Sequence, residues 1–169
     1  MAESSINEAS ILTCGEGRCV PGESGDLGGF PSLEELREYF ATDLFATGAG
    51  CRIESIETYE DPFEKTTLRE AVCSMTVTAE HLNGRGIAMG GAYFTLGDFA
   101  LGVCAYANGR AAVSIDGGIN FIRSAQEGDV LYATARPDKI GHRAGFFTAT
   151  IRNQDGKMIA TVTGSSMFC

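Results

Sequence analysis

A single carboxylate inside an otherwise apolar segment is the first candidate for chemistry in this sequence. The segment 84–102 reads GRGIAMGGAYFTLGDFALG, and Asp98 is its only charge after Arg85. An unpaired charge is costly to bury. Asp98 is therefore either a structural carboxylate bonded to a neighbouring hydroxyl such as Thr95, or a reactive group in apolar surroundings. The residues alone leave both interpretations open.

Two consecutive glycines, Gly90 and Gly91, precede that carboxylate at the start of the apolar run. The first amide groups of a helix have no partner within the helix and carry the positive end of its dipole. Glycine adds no side chain that would block a ligand. The pair marks either a tight turn from loop to helix or a seat for the oxyanion that forms when a carbonyl is attacked.

The spacing of these two features limits how they could cooperate. Gly90 and Asp98 are eight residues apart, which places them about 12 Å apart along a helix axis. A reacting carbonyl must lie roughly 3 Å from both its oxyanion donor and its base or nucleophile. The catalytic interpretation thus predicts a symmetric dimer in which antiparallel helices bring each Gly90 near the partner's Asp98.

Composition narrows the class of protein. The chain has 169 residues, which favours one domain, and its net charge is −9. This acidity argues against general binding to nucleic acid or to anionic membranes. The apolar run 86–108 holds five glycines and a central aspartate, which favours a buried helix over a membrane span. The first residues lack the pattern of a signal peptide, so we expect a cytoplasmic protein.

The cysteines fit that expectation. Cys51, Cys73 and Cys104 stand singly among apolar residues, as buried free thiols do. Cys14 and Cys19 form a C-x4-C pair that suits a disulfide or half of a metal site. Because the chain has only two histidines and no second such pair, we expect no metal site.

The periodicity predicts the order of elements. We expect residues 1–30 to form an irregular tail and residues 31–169 to form a single domain. A capping box at Ser32 and Glu35 begins an amphipathic helix that ends near Gly48. Strands follow at 51–60 and 68–79, then the apolar helix to about Ala107, then strands at 111–122, 130–137, 145–153 and 157–168.

Alternation predicts the faces of the strand at 111–122. Val113, Ile115, Ile119 and Phe121 would share one face, and Ser114, Asp116 and Asn120 the other. NQDG at 153–156 predicts a hairpin, and EGD at 127–129 a turn. An apolar helix among consecutive antiparallel strands indicates an α+β fold, with a curved antiparallel sheet wrapped around a long central helix.

Taken together, these residues resemble the hotdog-fold acyl-CoA thioesterases of the phenylacetate-pathway type. The family pattern Asn-x-x-Gly-x-x-His-Gly-Gly, then Leu-x-Asp-x-Ala, reads here NGRGIAMGG, then LGDFA. The resemblance implies that Asn83 places the thioester or the lytic water and that the Gly90 amide forms the oxyanion hole. It implies that Asp98 is the general base or nucleophile and that the Ser114 hydroxyl assists the attacking water.

The resemblance also implies a substrate-binding set and one departure. Gly91 and residue 89 border the thioester, and KIGHRAGFFTATI carries a turn near the coenzyme A phosphates; the predicted contacts there are Lys139, Gly141, His142 and Arg143. Arg123 and Arg136 are further phosphate candidates, with solvated strand ends as the structural alternative. Residue 89 is Met89, where the family has histidine, and methionine offers no N–H donor.

The sequence is compatible with three functions. The first is hydrolysis of an acyl-CoA at a site shared by two subunits of a homodimer or a dimer of dimers, with coenzyme A as part of the substrate and no other cofactor. The second is a non-catalytic module that binds or senses acyl-CoA, which Met89 motivates. The third is a dehydratase or hydratase, which is disfavoured because that chemistry uses a histidine paired with an acid and His81 lies upstream in a loop.

Overall fold

The computed structural model describes residues 26–168, so Cys14 and Cys19 lie outside the described residues. Two short helices come first, followed by two strands, a long helix and four more strands. The elements are α1 (Leu33–Phe40), α2 (Leu44–Gly48), β1 (Arg52–Glu60), β2 (Thr67–Thr76), α3 (Gly90–Ala107), β3 (Ala112–Phe121), β4 (Val130–Ile140), β5 (Ala144–Asn153) and β6 (Met158–Phe168). A 3-10 turn, Ala79–His81, lies between β2 and α3.

The six strands form one antiparallel sheet in the order β1-β2-β4-β5-β6-β3, and α3 packs across it. This arrangement confirms the predicted α+β fold. The NQDG hairpin is also confirmed, since the Asn153 amide donates to the Lys157 carbonyl at 3.0 Å and joins β5 to β6. No helix among residues 26–168 is long and apolar enough to cross a membrane.

The core lies between α3 and the sheet. Inward residues of β4 and β5 such as Leu131, Ala133 and Ile151 are fully buried. Gly97 of α3 faces the side chain of Val162 so closely that a β-carbon would not fit between them. Small residues on both sides therefore let the helix approach the sheet.

The predicted free thiols Cys51, Cys73 and Cys104 are confirmed as buried and unbridged. Burial raises the pKa of the Cys51 and Cys104 thiols to about 12, and it raises the pKa of Cys73 well above its usual range. The thiolate is the reactive form of cysteine. These three side chains therefore act as small apolar core residues.

The single helix predicted from Ser32 to Gly48 is wrong, because the structure has two helices there. The capping box is present, with the Ser32 hydroxyl accepting from the Glu35 amide at 3.2 Å. α1 ends at Phe40 with Ala41 as its C-cap, and Asp43 then caps α2 by accepting from the Ala46 amide at 2.9 Å. An aspartate that binds the backbone competes with helix continuation, so the chain breaks and restarts there.

The faces predicted for β3 are wrong for Val113 and Ser114, which exchange faces relative to Ile119 and Phe121. Ser114 pairs with Ser166 of β6, but Asp116 pairs with Ser165, so Ile115 is the extra residue of a β-bulge. Beyond the bulge, Ile119 pairs with the buried Val162. Cross-strand partners point to the same face, so the bulge places Ser114 on the helix-facing side together with Ile119, and not opposite it.

The C-terminal end of α3 is closed by side chains. The Asn108 amide group, 7% exposed, donates to the carbonyls of Cys104 and Arg69 and accepts from the Arg69 amide, at 2.8 to 2.9 Å. The Tyr39 and Tyr106 hydroxyls meet at 2.7 Å. Residues before α1 also lie here, since the Leu27 amide donates to the Gly109 carbonyl at 2.9 Å.

Candidate active site

The loop that enters α3 is a small hairpin built on backbone hydrogen bonds. Leu82 and Ala88 form an antiparallel bridge, and the Met89 amide donates to the His81 carbonyl at 2.8 Å. Asn83 lies at the turn, where its side-chain oxygen accepts from the Arg85 amide at 2.8 Å. The side-chain nitrogen of Asn83 has no acceptor among residues 26–168, so it can donate to a ligand.

The N-terminus of α3 keeps free donors. Met89 is the residue before the helix, its side chain makes no capping bond, and it is 56% exposed. Ala92 is the first residue of the helix whose amide donates, to the Met89 carbonyl at 3.0 Å. Within the described part of the chain the amides of Gly90 and Gly91 have no acceptor. The helix dipole adds partial positive charge at these donors.

A groove of about 360 Å³ opens beside Gly90. A β-carbon at Gly90 would lie 2.7 Å from the Phe121 ring, so glycine is required for this wall to close on the helix. The groove is lined by Asn83, Ile87, Ala88, Gly90, Tyr93, Phe121, Ile122, Arg123 and Ser124. Its walls are apolar and aromatic, with a few polar groups, which is the usual composition of a small-molecule site.

The structure brings two of the predicted catalytic residues together. The Ser114 hydroxyl donates to Asp98 Oδ1 at 3.2 Å, and both side chains are exposed in the single chain. Thr95, the alternative partner, donates instead to the Gly91 carbonyl at 2.9 Å. The sequence suggested a buried carboxylate, but Asp98 lies on a solvent-facing stripe of α3 with Gly91, Thr95 and Gly102, spaced so that one helix face is left uncovered.

The same structure keeps Asp98 apart from the groove. Asp98 is not among the residues that line it, and α3 runs as an unbroken helix between Gly90 and Asp98. The separation is therefore the predicted value of about 12 Å along the axis. One chain therefore presents the unpaired first amides of α3 and the Asp98–Ser114 pair at two distinct places within residues 26–168.

The predicted phosphate contacts lie at the other end of the molecule. Arg110, just after α3, donates to the His142 carbonyl at 2.6 Å, so the turn between β4 and β5 sits by the helix C-terminus. Lys139 pairs with Glu64 at 2.5 Å. The Gly141 amide donates to Ala144, and the Arg143 carbonyl accepts from Phe168. An 18-residue helix is about 27 Å long, so these residues do not meet Gly90 within one chain.

Two other candidates have structural partners. Arg136 forms an ion pair with Glu70. His81 Nδ1 accepts from the Thr78 amide at 3.0 Å in the 3-10 turn. Among residues 26–168 no group of histidine, cysteine or acidic side chains could hold a metal ion.

Sequence reasoning missed most of the groove. Tyr93, Phe121, Ile122 and Ser124 line it, but alternation placed Phe121 only on a strand face. The Tyr93 hydroxyl accepts from the Ala125 amide at 2.8 Å, which holds the end of β3 and the residues after it against α3. The sequence offered one signal for these residues, the FIRS run at 121–124 at the end of a predicted strand. That run is far from Gly90 in sequence and reaches the groove only through the fold.

Comparisons with known proteins agree on one protein family. A family model described as Thioesterase superfamily matches residues 85–160. The acyl-coenzyme A thioesterase PaaI of Escherichia coli K12 is 40% identical over 96 residues, which cover 57% of this chain and 69% of that protein. A putative esterase of Archaeoglobus fulgidus is 30% identical over 95 residues, and the chain spans less than two thirds of it, 62% of its length.

Similar solved structures agree with the family found by sequence comparison. The E. coli PaaI protein from the phenylacetic acid degradation operon superposes with a TM-score of 0.63 at 34% identity, covering 76% of this chain and 90% of that one. A Streptococcus mutans protein bound to acetyl-CoA superposes with a TM-score of 0.58 at 25% identity, covering 69% and 90%.

Proposed function

Because the chain belongs to the hotdog-fold thioesterase superfamily, in its PaaI type, we propose that it hydrolyses an acyl-CoA thioester to the free acid and coenzyme A. The observation that carries the proposal is the hydrogen bond from Ser114 to Asp98 of α3, a helix whose first two amides have no acceptor within residues 26–168. Carboxylate, hydroxyl and oxyanion seat are the groups that thioester hydrolysis needs.

The proposed reaction uses water as its only co-substrate. Asp98 as general base takes a proton from water, and the oxygen attacks the thioester carbon while Ser114 helps to hold it. The Gly90 amide stabilises the tetrahedral oxyanion, the C–S bond breaks, and the thiolate takes up a proton. If Asp98 is the nucleophile instead, it forms a mixed anhydride that water then opens. Asn83 orients the thioester or the water in either case.

Because Gly90 and Asp98 are too far apart to serve one carbonyl within a chain, we propose that the site is shared by an obligate homodimer with antiparallel α3 helices. We also propose that two such dimers associate into a tetramer. Two surfaces support this. β3 lies at the sheet edge with Val113 50% and Ile115 57% exposed, and Asp98 lies on the uncovered stripe of α3. Antiparallel helices would also bring the Lys139–Arg143 turn of one subunit toward the partner's groove, where it can meet coenzyme A phosphates.

Replacement of Asp98 tests the chemistry. We expect Asp98→Asn to reduce kcat about a thousandfold or more, since the amide cannot act as base or nucleophile. Release of free thiol from aryl, short, medium and long acyl-CoAs measures the rate. Asp116→Asn, an exposed carboxylate on the same strand as Ser114, serves as control and should keep wild-type activity. Full activity of a folded Asp98→Asn protein would remove Asp98 from the mechanism.

Mixing two inactive variants tests the shared site. Asp98→Asn disables the base, and Gly90→Val blocks the oxyanion seat, because even one β-carbon meets Phe121. When two differently tagged variants are co-expressed, about half of the dimers are mixed and each mixed dimer holds one intact site of two. About a quarter of wild-type activity should therefore return in the unsorted pool, and about half in purified mixed dimers. No recovery in purified mixed dimers would show that both groups act within one chain.

Met89 supports the alternative of a non-catalytic acyl-CoA binding protein, since it brings no polar capping group to the start of α3. Calorimetry with acyl-CoA, followed by a thiol assay, separates the two functions. Binding without thiol release would favour the binding protein. The three buried free thiols suit a reducing compartment, so we propose that the protein works in the cytoplasm.

A further inference from the structure

The groove beside Gly90 contains one charged residue, Arg123, and its backbone is fixed in place. The Arg123 amide donates to the Ile159 carbonyl at 3.0 Å. Two residues later, Ala125 donates to the Tyr93 hydroxyl at 2.8 Å and accepts from the Ala88 amide at 3.0 Å. The segment therefore sits between the entry loop and the first turn of α3, which are the two walls that carry Asn83 and Gly90.

The guanidinium of Arg123 is held but not neutralised. One of its nitrogens donates to the Met158 carbonyl at 3.2 Å. Five cations of this acidic protein, Arg37, Lys65, Arg136, Lys139 and Lys157, form ion pairs. Arg123 forms none with any residue of the described range 26–168, and no acidic side chain lines its groove. Arg123 lines the groove, and its remaining N–H donors have no counter-charge within residues 26–168.

Ser124 adds a hydroxyl next to that cation, while Tyr93, Phe121 and Ile122 supply an apolar wall. A planar guanidinium prefers a carboxylate or phosphate that can accept two parallel hydrogen bonds. We infer that Arg123 binds an anionic group of the substrate, either a carboxylate on the acyl part or a phosphate of coenzyme A. The inference rests on the proposed function for the identity of the ligand.

Four proteins test this: wild type, Arg123→Gln, Arg123→Lys and the matched control Arg152→Gln. Arg152 is also exposed, also donates to one carbonyl, that of Gly156 at 2.9 Å, and also has no ion pair within the described residues. Calorimetry uses non-hydrolysable S-butyl-CoA and an S-alkyl-CoA of equal length that ends in a carboxylate. Binding is read directly, so the test stands even if the protein hydrolyses nothing.

We expect Arg123→Gln to weaken binding about tenfold to a hundredfold for every ligand that carries the recognised anion. Loss only for the carboxylate-ended ligand assigns Arg123 to the acyl group. Equal loss for both ligands and for free coenzyme A assigns it to a phosphate, and dephospho-CoA then tells whether the 3′-phosphate is the contact. Arg123→Lys should recover part of the affinity, since it keeps the charge but not the fork.

Thermal unfolding separates binding from a structural role of the bond to Met158. The inference is overturned if Arg123→Gln and Arg152→Gln bind all ligands within about twofold of wild type, or if the affinity of Arg123→Gln falls only as far as its folded fraction does. Failure of the proposed function looks different, since wild type would then bind these ligands and release no thiol from acyl-CoA.

Discussion

The two ends of α3 are built in opposite ways. At the C-terminal end the residues from Val103 to Gly109 are buried, and Asn108 bonds both its own helix and strand β2. At the N-terminal end Met89 is exposed and the first two amides are unpaired within residues 26–168. The same chain closes α1 with a complete capping box. The free start of α3 is therefore a local property, and it places hydrogen-bonding capacity where a ligand can use it.

The closed end should carry the largest effect on stability. We expect Asn108→Ala to lower the free energy of unfolding by roughly 2–4 kcal/mol, because the part-buried backbone amide and carbonyl of Arg69 lose their hydrogen-bond partner. Urea unfolding followed by circular dichroism measures the change. Asn120→Ala, an exposed asparagine on β3, should shift it by less than about 0.5 kcal/mol. Equal losses of unfolding free energy for the two variants would contradict the stabilising role of Asn108 at the C-terminal end of α3.

Substitutions at the N-terminal end of α3 should change activity and leave stability almost unchanged. Gly90→Ala pushes a methyl group toward the Phe121 ring, which must move into the groove, so we expect kcat/KM to fall about tenfold with unfolding almost unchanged. Gly48→Ala, at the exposed end of α2, is the control, since its added carbon would meet nothing within 4 Å. Similar thiol-release rates for the two variants would contradict the assignment of the seat to Gly90.

Tyr39→Phe probes a single bond at the closed end. It removes the hydroxyl 2.7 Å from that of Tyr106 and leaves the stacked rings in place, so we expect a loss of about 1 kcal/mol in urea unfolding. Tyr132→Phe, at a tyrosine 39% exposed on β4, should cost less. A larger loss of unfolding free energy for Tyr132→Phe than for Tyr39→Phe would contradict the stabilising role of the bond between Tyr39 and Tyr106.

The smallest change is expected from Met89→His. An imidazole before Gly90 adds an N–H donor that methionine lacks, and we expect kcat/KM to rise about threefold, because an unoptimised donor stabilises the oxyanion only weakly. Met89→Leu keeps the apolar volume and should match wild type in the same thiol assay. A drop on introducing histidine would show that this site uses an apolar side chain here.

Short-range patterns predicted much of the fold. Ser32 with Glu35, the NQDG hairpin and the apolar run of α3 each depend on neighbours in sequence, and the structure contains all three. The break at Asp43 had a local signal as well, because aspartate is a preferred cap, but the apolar spacing across it suggested continuity.

The remainder of the site depends on long-range pairing. The bulge at Ile115 exists only because β3 pairs with β6, and without it Ser114 would point away from Asp98. The groove forms where the end of β3 meets the start of α3, and no window of sequence contains both. Helix geometry alone predicted the separation of Gly90 from Asp98, but no spacing in the sequence predicted that Ser114 would meet Asp98 within one chain.

The same bulge has a consequence for the isolated chain. β3 is an edge strand with exposed apolar side chains, and such an edge is a template for indiscriminate strand addition and aggregation. An extra residue interrupts the regular ladder and twists the edge locally. Only a strand with a matching irregularity can pair with β3 along its whole length, so the bulge that directs Ser114 toward Asp98 also limits which strands can add to this edge.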